Sequence, residues 1–416
     1  MEYLGKLLDH RIQAVNVLVQ VSMQEYLDIA RQILNENEFQ RKKVINGQIS
    51  RLLREDITIG CSIPPLVLAI QRELISNDFD YTTFEDNTTL VGTAFRDSKL
   101  LILDGKQRTH IFIKLHDDLI QRIEKKDEIS DQAKKDLESF LANTLRLEIY
   151  VGINKLNILY RMLTLNSGQT NMSTRHLMEM LYLDYLNIPF DGIRLIADKE
   201  NEPVSKDPSE FVFKDVLDGF TSYLDKDENT LERSEILDNI KSAKNIQQEE
   251  KDKNLFEDFV ITYKGFVDKM IVLSEGVEIN AEDLKGTEFE VKGLLFGKTA
   301  GEIFKKSQAM SGFGAAIAEL KDIRTDFNLD VTKVVIKELI FRDDDYLRTF
   351  SLLNKYFDII RDKSKKIGND QRFFFKMFFK HLFDPESSYR FSIDKSVEYG
   401  FKKLREDKSY LKDLNA

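Results

Sequence analysis

The sequence predicts an α+β protein: a small mixed sheet in the N-terminal part, then a C-terminal part that is mostly α-helical. Three observations carry this. Strand-like runs are confined to the first 151 residues: Leu66–Ile70, Thr89–Phe95, Lys99–Leu103 and Leu145–Val151. From about residue 205 onward the apolar spacing is helical, over 302–325, 331–342, 346–362 and 371–383. A hydrophobic fraction of 42%, with 29 Phe and 14 Tyr, is enough to fill real cores in 416 residues, about two or three domains' worth of chain. The expected division is 1–200 and 201–416, with a very polar acidic segment at 224–254 as an exposed helical hairpin or linker.

Each element has a local reason. Ser22-Met23-Gln24-Glu25 has capping-box spacing, and Tyr26, Leu27, Ile29, Ala30, Ile33 and Leu34 follow at helical period, so a helix begins at Ser22. A second helical pattern through Ile45, Ile49, Leu52 and Leu53 stops at Gly60. Ile63-Pro64-Pro65 is extended because proline restricts the residue before it, and Leu66–Ile70 reads as a buried strand. Thr89–Phe95 and Lys99–Leu103, joined by Arg96-Asp97-Ser98, read as a hairpin. Residues 120–140 form a charged helical stretch, Leu145–Val151 alternates as a half-buried strand does, and a helix spans about Lys155 to Leu165. A further helix opens near Ser173.

Composition excludes several classes. No apolar run reaches the roughly 18 residues that a membrane-spanning helix needs, and Met1-Glu2-Tyr3-Leu4 does not open a secretory signal. The expectation is a cytoplasmic protein without a membrane partner. Cys61 is the single cysteine, so there is no internal disulfide and no CxxC pair. A formal charge of −10 argues against indiscriminate coating of nucleic acid. The charge is segregated, with 8 Lys/Arg against 16 Asp/Glu over 201–260 and 7 against 2 over 361–380.

The chemistry concentrates at Asp104-Gly105-Lys106-Gln107-Arg108, between the apolar run Leu100–Leu103 and the helical pattern Ile111, Phe112, Leu115, Leu119. A glycine after a strand lets backbone N–H groups turn toward a ligand, and the following helix start adds partial positive charge, which suits an anion. Arg108 supplies a guanidinium fork that matches phosphate, Asp104 is a candidate magnesium ligand or hydrogen-bond acceptor, and Gln107 is placed to read a neutral edge. The same pattern also has a purely structural reading, in which Asp104 caps the helix, Gly105 makes the turn and Arg108 pairs with a neighbouring acid.

These residues resemble the DGQxR signature of the ParB/sulfiredoxin-like superfamily, as in DndB-type DGQHR proteins and the GmrS-type domain. Three further stretches support the resemblance, in order and spacing across about 40–175. Phe39-Gln40-Arg41 is similar to the upstream Y/F-Q-R box, Ile63-Pro64-Pro65-Leu66-Val67 to the Pro-Pro entry of the first core strand, and Leu165-Asn166-Ser167-Gly168-Gln169-Thr170-Asn171-Met172-Ser173 to the LNxGxxxLS loop. The resemblance implies a ParB-like N-terminal domain whose pocket holds nucleotide or phosphate through Arg41, Gly105, Lys106, Gln107 and Arg108. Asn166 and Gly168 would close it, and Asp104 would be the catalytic or metal-binding acid. Lys106 stands where many relatives have glutamine, which adds a cation. The sulfiredoxin branch is disfavoured because its phosphate motif needs a cysteine, and here that motif has none.

The implied function is nucleotide or phosphate binding linked to DNA modification, restriction or phage defence. A nucleoside triphosphate with Mg2+ would be the ligand, and metal-dependent NTPase or nuclease activity would be open to it. A non-enzymatic DNA-binding regulator and a protein-binding scaffold are the alternatives. For DNA, the candidate residues are Lys363, Lys365, Lys366 and Arg372, where bases interleave with aromatics up to His381. Phe374, Phe375, Phe378, Phe379 and Leu382 equally fit the buried face of a helix. His176 and Glu179 share a helical face, a weak metal pattern without a third ligand. Walker A, Rossmann and HNH-like patterns are absent from the sequence.

Overall fold

The structure, a computed structural model, describes the chain except residues 36–46, 72–73, 77, 85–87, 125–127, 166–177, 181, 199–204, 206, 230–254, 343–344 and 412–416. It forms two compact units, Met1–Asn171 and Met172–Ala416. It is α+β, with a small mixed sheet in the first unit and a mostly helical second unit.

The first unit is built on a five-stranded sheet of order β1-β2-β5-β3-β4. Its strands are β1 (Glu2–Asp9), β2 (Ala14–Ser22), β3 (Leu66–Ile70), β4 (Leu100–Asp104) and β5 (Thr144–Val151). β1/β2, β2/β5 and β3/β4 are antiparallel, whereas β3 runs parallel to β5. One face carries Val15, Val17, Val19 and Val21 together with Leu66, Leu68, Leu100, Ile102, Leu147 and Ile149. That face is covered by α1 (Met23–Asn35) and α4 (Lys106–Glu124), through Tyr26, Ile29, Ile33, Phe112, Leu115 and Leu119. α2 (Gly47–Ile59) and α5 (Glu128–Ala142) pack beside them, with an Arg54–Asp118 ion pair of 2.7 Å between α2 and α4. The alternate residues Val67, Ala69, Leu101 and Leu103 point the other way and are also buried, and α6 (Lys155–Leu165) packs against β4. Burying both faces makes β3 and β4 continuous apolar runs, each such side chain contributing about 1.5–3 kcal/mol.

The capping box at Ser22 is present: the Glu25 backbone N–H donates to Ser22 Oγ at 3.2 Å, and the Ser22 N–H donates to Glu25 Oε2 at 2.8 Å. Three readings need correction. Thr89–Phe95 is helical, within α3 (Thr88–Arg96), so the expected hairpin does not exist and β4 pairs with β3. Burial shows the helical period: Val91, Ala94 and Phe95 are buried at i, i+3 and i+4. The Arg96-Asp97-Ser98 turn is this helix's end, where Ser98 takes φ 57° and the Lys99 N–H donates to Ala94 O at 2.9 Å. The β1–β2 hairpin was missed, although Val15, Val17, Val19 and Val21 alternate strictly.

The third correction concerns the second unit. Short β6 (Arg194–Ile196) and β7 (Glu210–Val212) pair in parallel, so a strand does occur beyond residue 205. Three residues are too few for alternation to announce it. The pairing also joins 194–196 to the helical unit. The helices among the described residues are α7 (Phe213–Asp225), α8 (Leu255–Leu273), α9 (Ala300–Phe304), α10 (Ser307–Ile323), α11 (Leu329–Lys337), α12 (Tyr346–Lys363), α13 (Ile367–Phe383) and α14 (Ile393–Asp407). They share one core rich in phenylalanine, with Phe266, Phe304, Phe313, Phe374, Phe375, Phe378, Phe379 and Phe383 all fully buried. The polar stretch over 230–254 lies outside the described residues.

Candidate functional site at the β4–α4 junction

β4 ends at Asp104 and α4 begins at Lys106, so the whole turn falls on Gly105. Gly105 takes φ +103°, a region that favours glycine, and a Cβ there would collide with Leu66 Cδ2. The turn is therefore closed to other residues twice over, by backbone conformation and by the β3 side chain beneath it. The same added Cβ would lie 3.4 Å from Arg108 Nη2, which places the guanidinium directly over the glycine.

Arg108 reaches back one helical turn. Its Nη2 donates to Asp104 Oδ2 at 2.6 Å, and its Nη1 donates to the backbone carbonyl of Pro64. Both side chains are largely shielded, at 18% exposure for Arg108 and 22% for Asp104. Pro64 is a good acceptor for this purpose, since the Pro-Pro stretch is extended and its carbonyl is not used by a helix. Behind this pair Thr109 is fully buried; its Oγ1 donates to Gly105 O at 3.0 Å and lies 2.8 Å from the Tyr26 hydroxyl of α1. Burial raises the Tyr26 pKa, the Thr109 bond opposing it only partly, so the phenol stays protonated. Lys106 is half-buried, and that burial lowers its pKa. Gln107 is exposed.

The structure thus brings Asp104, Gly105, Lys106, Gln107 and Arg108 together at one helix start. It contains two parts of the structural reading, the glycine turn and the Arg108–acid pair, because the acid is Asp104 itself. Arg41, Asn166 and Gly168 lie outside the described residues, as do His176, the Phe39-Gln40-Arg41 box and most of the LNxGxxxLS stretch. α6, which leads toward Asn166, packs against β4. Sequence reasoning missed Tyr26, Pro64 and Thr109 as supports of the junction. Thr109 follows the motif directly, but Tyr26 lies 83 residues from it and leaves no local signal. Glu148 was missed too. It shares a row with Val67 and Asp104 across β5, β3 and β4, roughly 10 Å from Asp104 by strand spacing, and accepts a bond from Asn16 Nδ2 at 3.2 Å.

Of the proposed DNA contacts, Lys363, Lys365 and Lys366 are exposed, while Arg372 on α13 is half-buried. Most of the interleaved aromatics of α13 are core: Phe374, Phe375, Phe378 and Phe379 are at 0% exposure, as is Leu382, while Phe373 is half-buried with Lys408 over its ring. The lysines between them are engaged, Lys376 with Glu228 (3.1 Å) and Glu319 (3.3 Å), and Lys380 with Glu319 (2.5 Å).

Among the described residues no group of three or more His, Cys, Asp and Glu side chains is arranged to hold a metal ion. The junction supplies one carboxylate, Asp104, already paired with Arg108. That fits only a magnesium ion arriving with its nucleotide, since Mg2+ is commonly held by one or two carboxylates plus phosphate oxygens and water. In comparisons with known proteins, no family model matches this chain, and neither a curated protein nor a solved structure matches it.

Proposed function

We propose that the β4–α4 junction binds the phosphate of a nucleotide, in a protein of the ParB-like kind that the DGKQR motif resembles. One observation carries this reading: a left-handed glycine at the mouth of a 19-residue helix with a guanidinium held over it. Backbone N–H groups at a helix start and an arginine fork both favour an anion. Lys106 adds a second cation in a half-buried setting, where attraction to phosphate is less screened than in open water. Asp104 is assigned a positioning role, since its carboxylate orients Arg108. When Mg2+ accompanies the nucleotide, the ion supplies charge neutralisation at the phosphates, and Asp104 is the side chain at hand to meet it.

The test is isothermal titration of the full chain with a panel of nucleoside triphosphates. Arg108→Ala is expected to abolish binding while circular dichroism stays that of the parent. Retained affinity in a folded Arg108→Ala protein removes the assignment. Asp104→Asn discriminates further. A positioning role predicts affinity about tenfold weaker, equal to the loss of one charge-assisted hydrogen bond of about 1.5 kcal/mol. Should Asp104 merely occupy the anion site, the same change would tighten binding by releasing Arg108.

A further inference from the structure

We propose that the end of the helical unit where α12, α13 and α14 meet is a docking surface for the phosphate backbone of duplex DNA. This does not depend on the nucleotide reading. Arg348 lies 3.9 Å from Glu398, and further along Tyr356 stacks on Phe401, so α12 and α14 run in the same direction. Their C-terminal ends therefore emerge side by side, and α13 starts at that same end. A buried acid ties the three together. Asp370 accepts from Ser364 Oγ at 2.6 Å and from the Tyr410 hydroxyl, and it lies 3.8 Å from Lys408 Nζ.

The charge gathered there is opposite to that of the whole chain. Residues 361–366 and 402–408 hold eight Lys and Arg against three Asp and Glu, in a protein of formal charge −10. Lys363, Lys365, Lys366 and Lys402 are exposed. The acids take up part of the patch: Asp362 meets Lys363 at 3.5 Å, Asp407 meets Lys408 at 2.8 Å, and Glu406 is taken by Lys403 at 2.6 Å, which leaves the eight cations in excess over the three acids of these stretches. Arg361 turns inward to Asp358 and the Leu294 carbonyl. Helix C-termini favour nearby cations, which accounts for Lys363 and Arg405 in the last turns of α12 and α14. Lys365 lies beyond α12, in the turn, where no helix end calls for it, and it has no ion-pair partner among the described residues.

Long, exposed lysines spread over two chain segments suit a ligand whose charge repeats along its length. Single strands are held by stacking on open aromatic faces; here Tyr356 and Phe401 are stacked on each other with centroids 3.8 Å apart, Phe373 is half-buried beneath Lys408, and Tyr410 is tied to Asp370 through its hydroxyl. A bilayer wants exposed apolar side chains as well as cations, and the large ones near this end are Leu294, 86% exposed, and Ile367 and Tyr410, each 38% exposed, fewer than the four exposed lysines. Duplex phosphate is the partner these features fit.

The experiment is fluorescence anisotropy of the full chain with a short labelled duplex, between about 50 and 200 mM salt, the range over which phosphate contacts weaken steeply. Lys365→Glu combined with Lys366→Glu is expected to weaken binding about tenfold or more and to lower the salt slope by about 2, one for each phosphate contact removed. Lys402→Glu, on a different helix, should add to the loss. Lys285→Glu, the same charge change on an exposed lysine outside this end, should leave affinity near the parent value. Arg108→Ala should bind duplex as the parent does, which separates this surface from the nucleotide site. Absence of duplex binding by the parent chain overturns the proposal, as do equal losses in Lys285→Glu and in the double variant. Preference for anionic vesicles or single-stranded RNA over duplex also overturns it.

Discussion

Two stretches of this chain set cations beside apolar residues, and they end up in different surroundings. On α13, Phe374, Phe375, Phe378 and Phe379 are core, and Lys376 and Lys380 are absorbed by Glu228 and Glu319. At the β4–α4 junction the apolar run stops at Leu103, and the cations Lys106 and Arg108 follow at the mouth of a helix. The presence of cations beside apolar residues does not separate the two. What separates them is position relative to secondary structure. Within a long amphipathic helix, lysines lie along the flanks of the buried stripe and reach acids on neighbouring helices. At a strand-to-helix turn, side chains are held over backbone N–H groups that no helix hydrogen bond uses.

The largest effect expected from this contrast is on stability in α13. Phe379→Ala should cost about 3–5 kcal/mol in urea denaturation, because the ring is at 0% exposure and packs against Phe266, Phe313, Phe375, Phe378 and Phe383. A cost below about 1 kcal/mol would mean that α13 is not a core helix and would reopen the aromatic surface as a binding face. Next comes Gly105→Ala, expected to cost about 2–4 kcal/mol from the left-handed backbone and the overlap with Leu66 together. A neutral outcome there would show that the turn does not need glycine, and the contrast between the two regions would lose its structural basis.

The smallest effect is a pH dependence. Burial raises the Glu319 pKa, but its bonds to Lys380 and Lys376 outweigh that and leave it below the ordinary value. A carboxylate depressed in the folded state contributes stability above its unfolded pKa of about 4.3, lost as pH falls through the folded value. The parent chain should therefore lose stability progressively below about pH 5, and Glu319→Gln should flatten that slope while being less stable near neutral pH. An acid slope unchanged by the substitution would show that the Lys376–Glu319–Lys380 group does not contribute as drawn.

Much of the first unit was legible locally. Ser22 and Glu25 announce a helix start within four residues, Pro64-Pro65 forces an extended entry to β3, and a glycine between Asp104 and Lys106 marks a strand-to-helix turn. α3 was not legible as a helix, since its β-branched residues and flanking turn imitate a hairpin, and only burial of Val91, Ala94 and Phe95 exposes its true period. Of the candidate site, the motif was readable, but the full set of Arg108 partners was not: the acid at i−4 is near in sequence, whereas the proline carbonyl that shares the fork lies 44 residues away. The basic end of the helical unit was half readable. Lys363, Lys365 and Lys366 stand out in the chain, whereas Lys402 and Lys408 join them only because α12 and α14 run in the same direction.

What the amino-acid order determined alone is whatever depends on neighbours within a turn or two: where helices start, which stretches are extended, that residue 105 is glycine, and that charge is segregated along the chain. Tertiary structure alone decided which distant partner each cation meets. That follows from range: hydrogen bonding and steric limits act between near neighbours in sequence, whereas the partner of a charged side chain is whichever opposite group the packed core brings within about 4 Å.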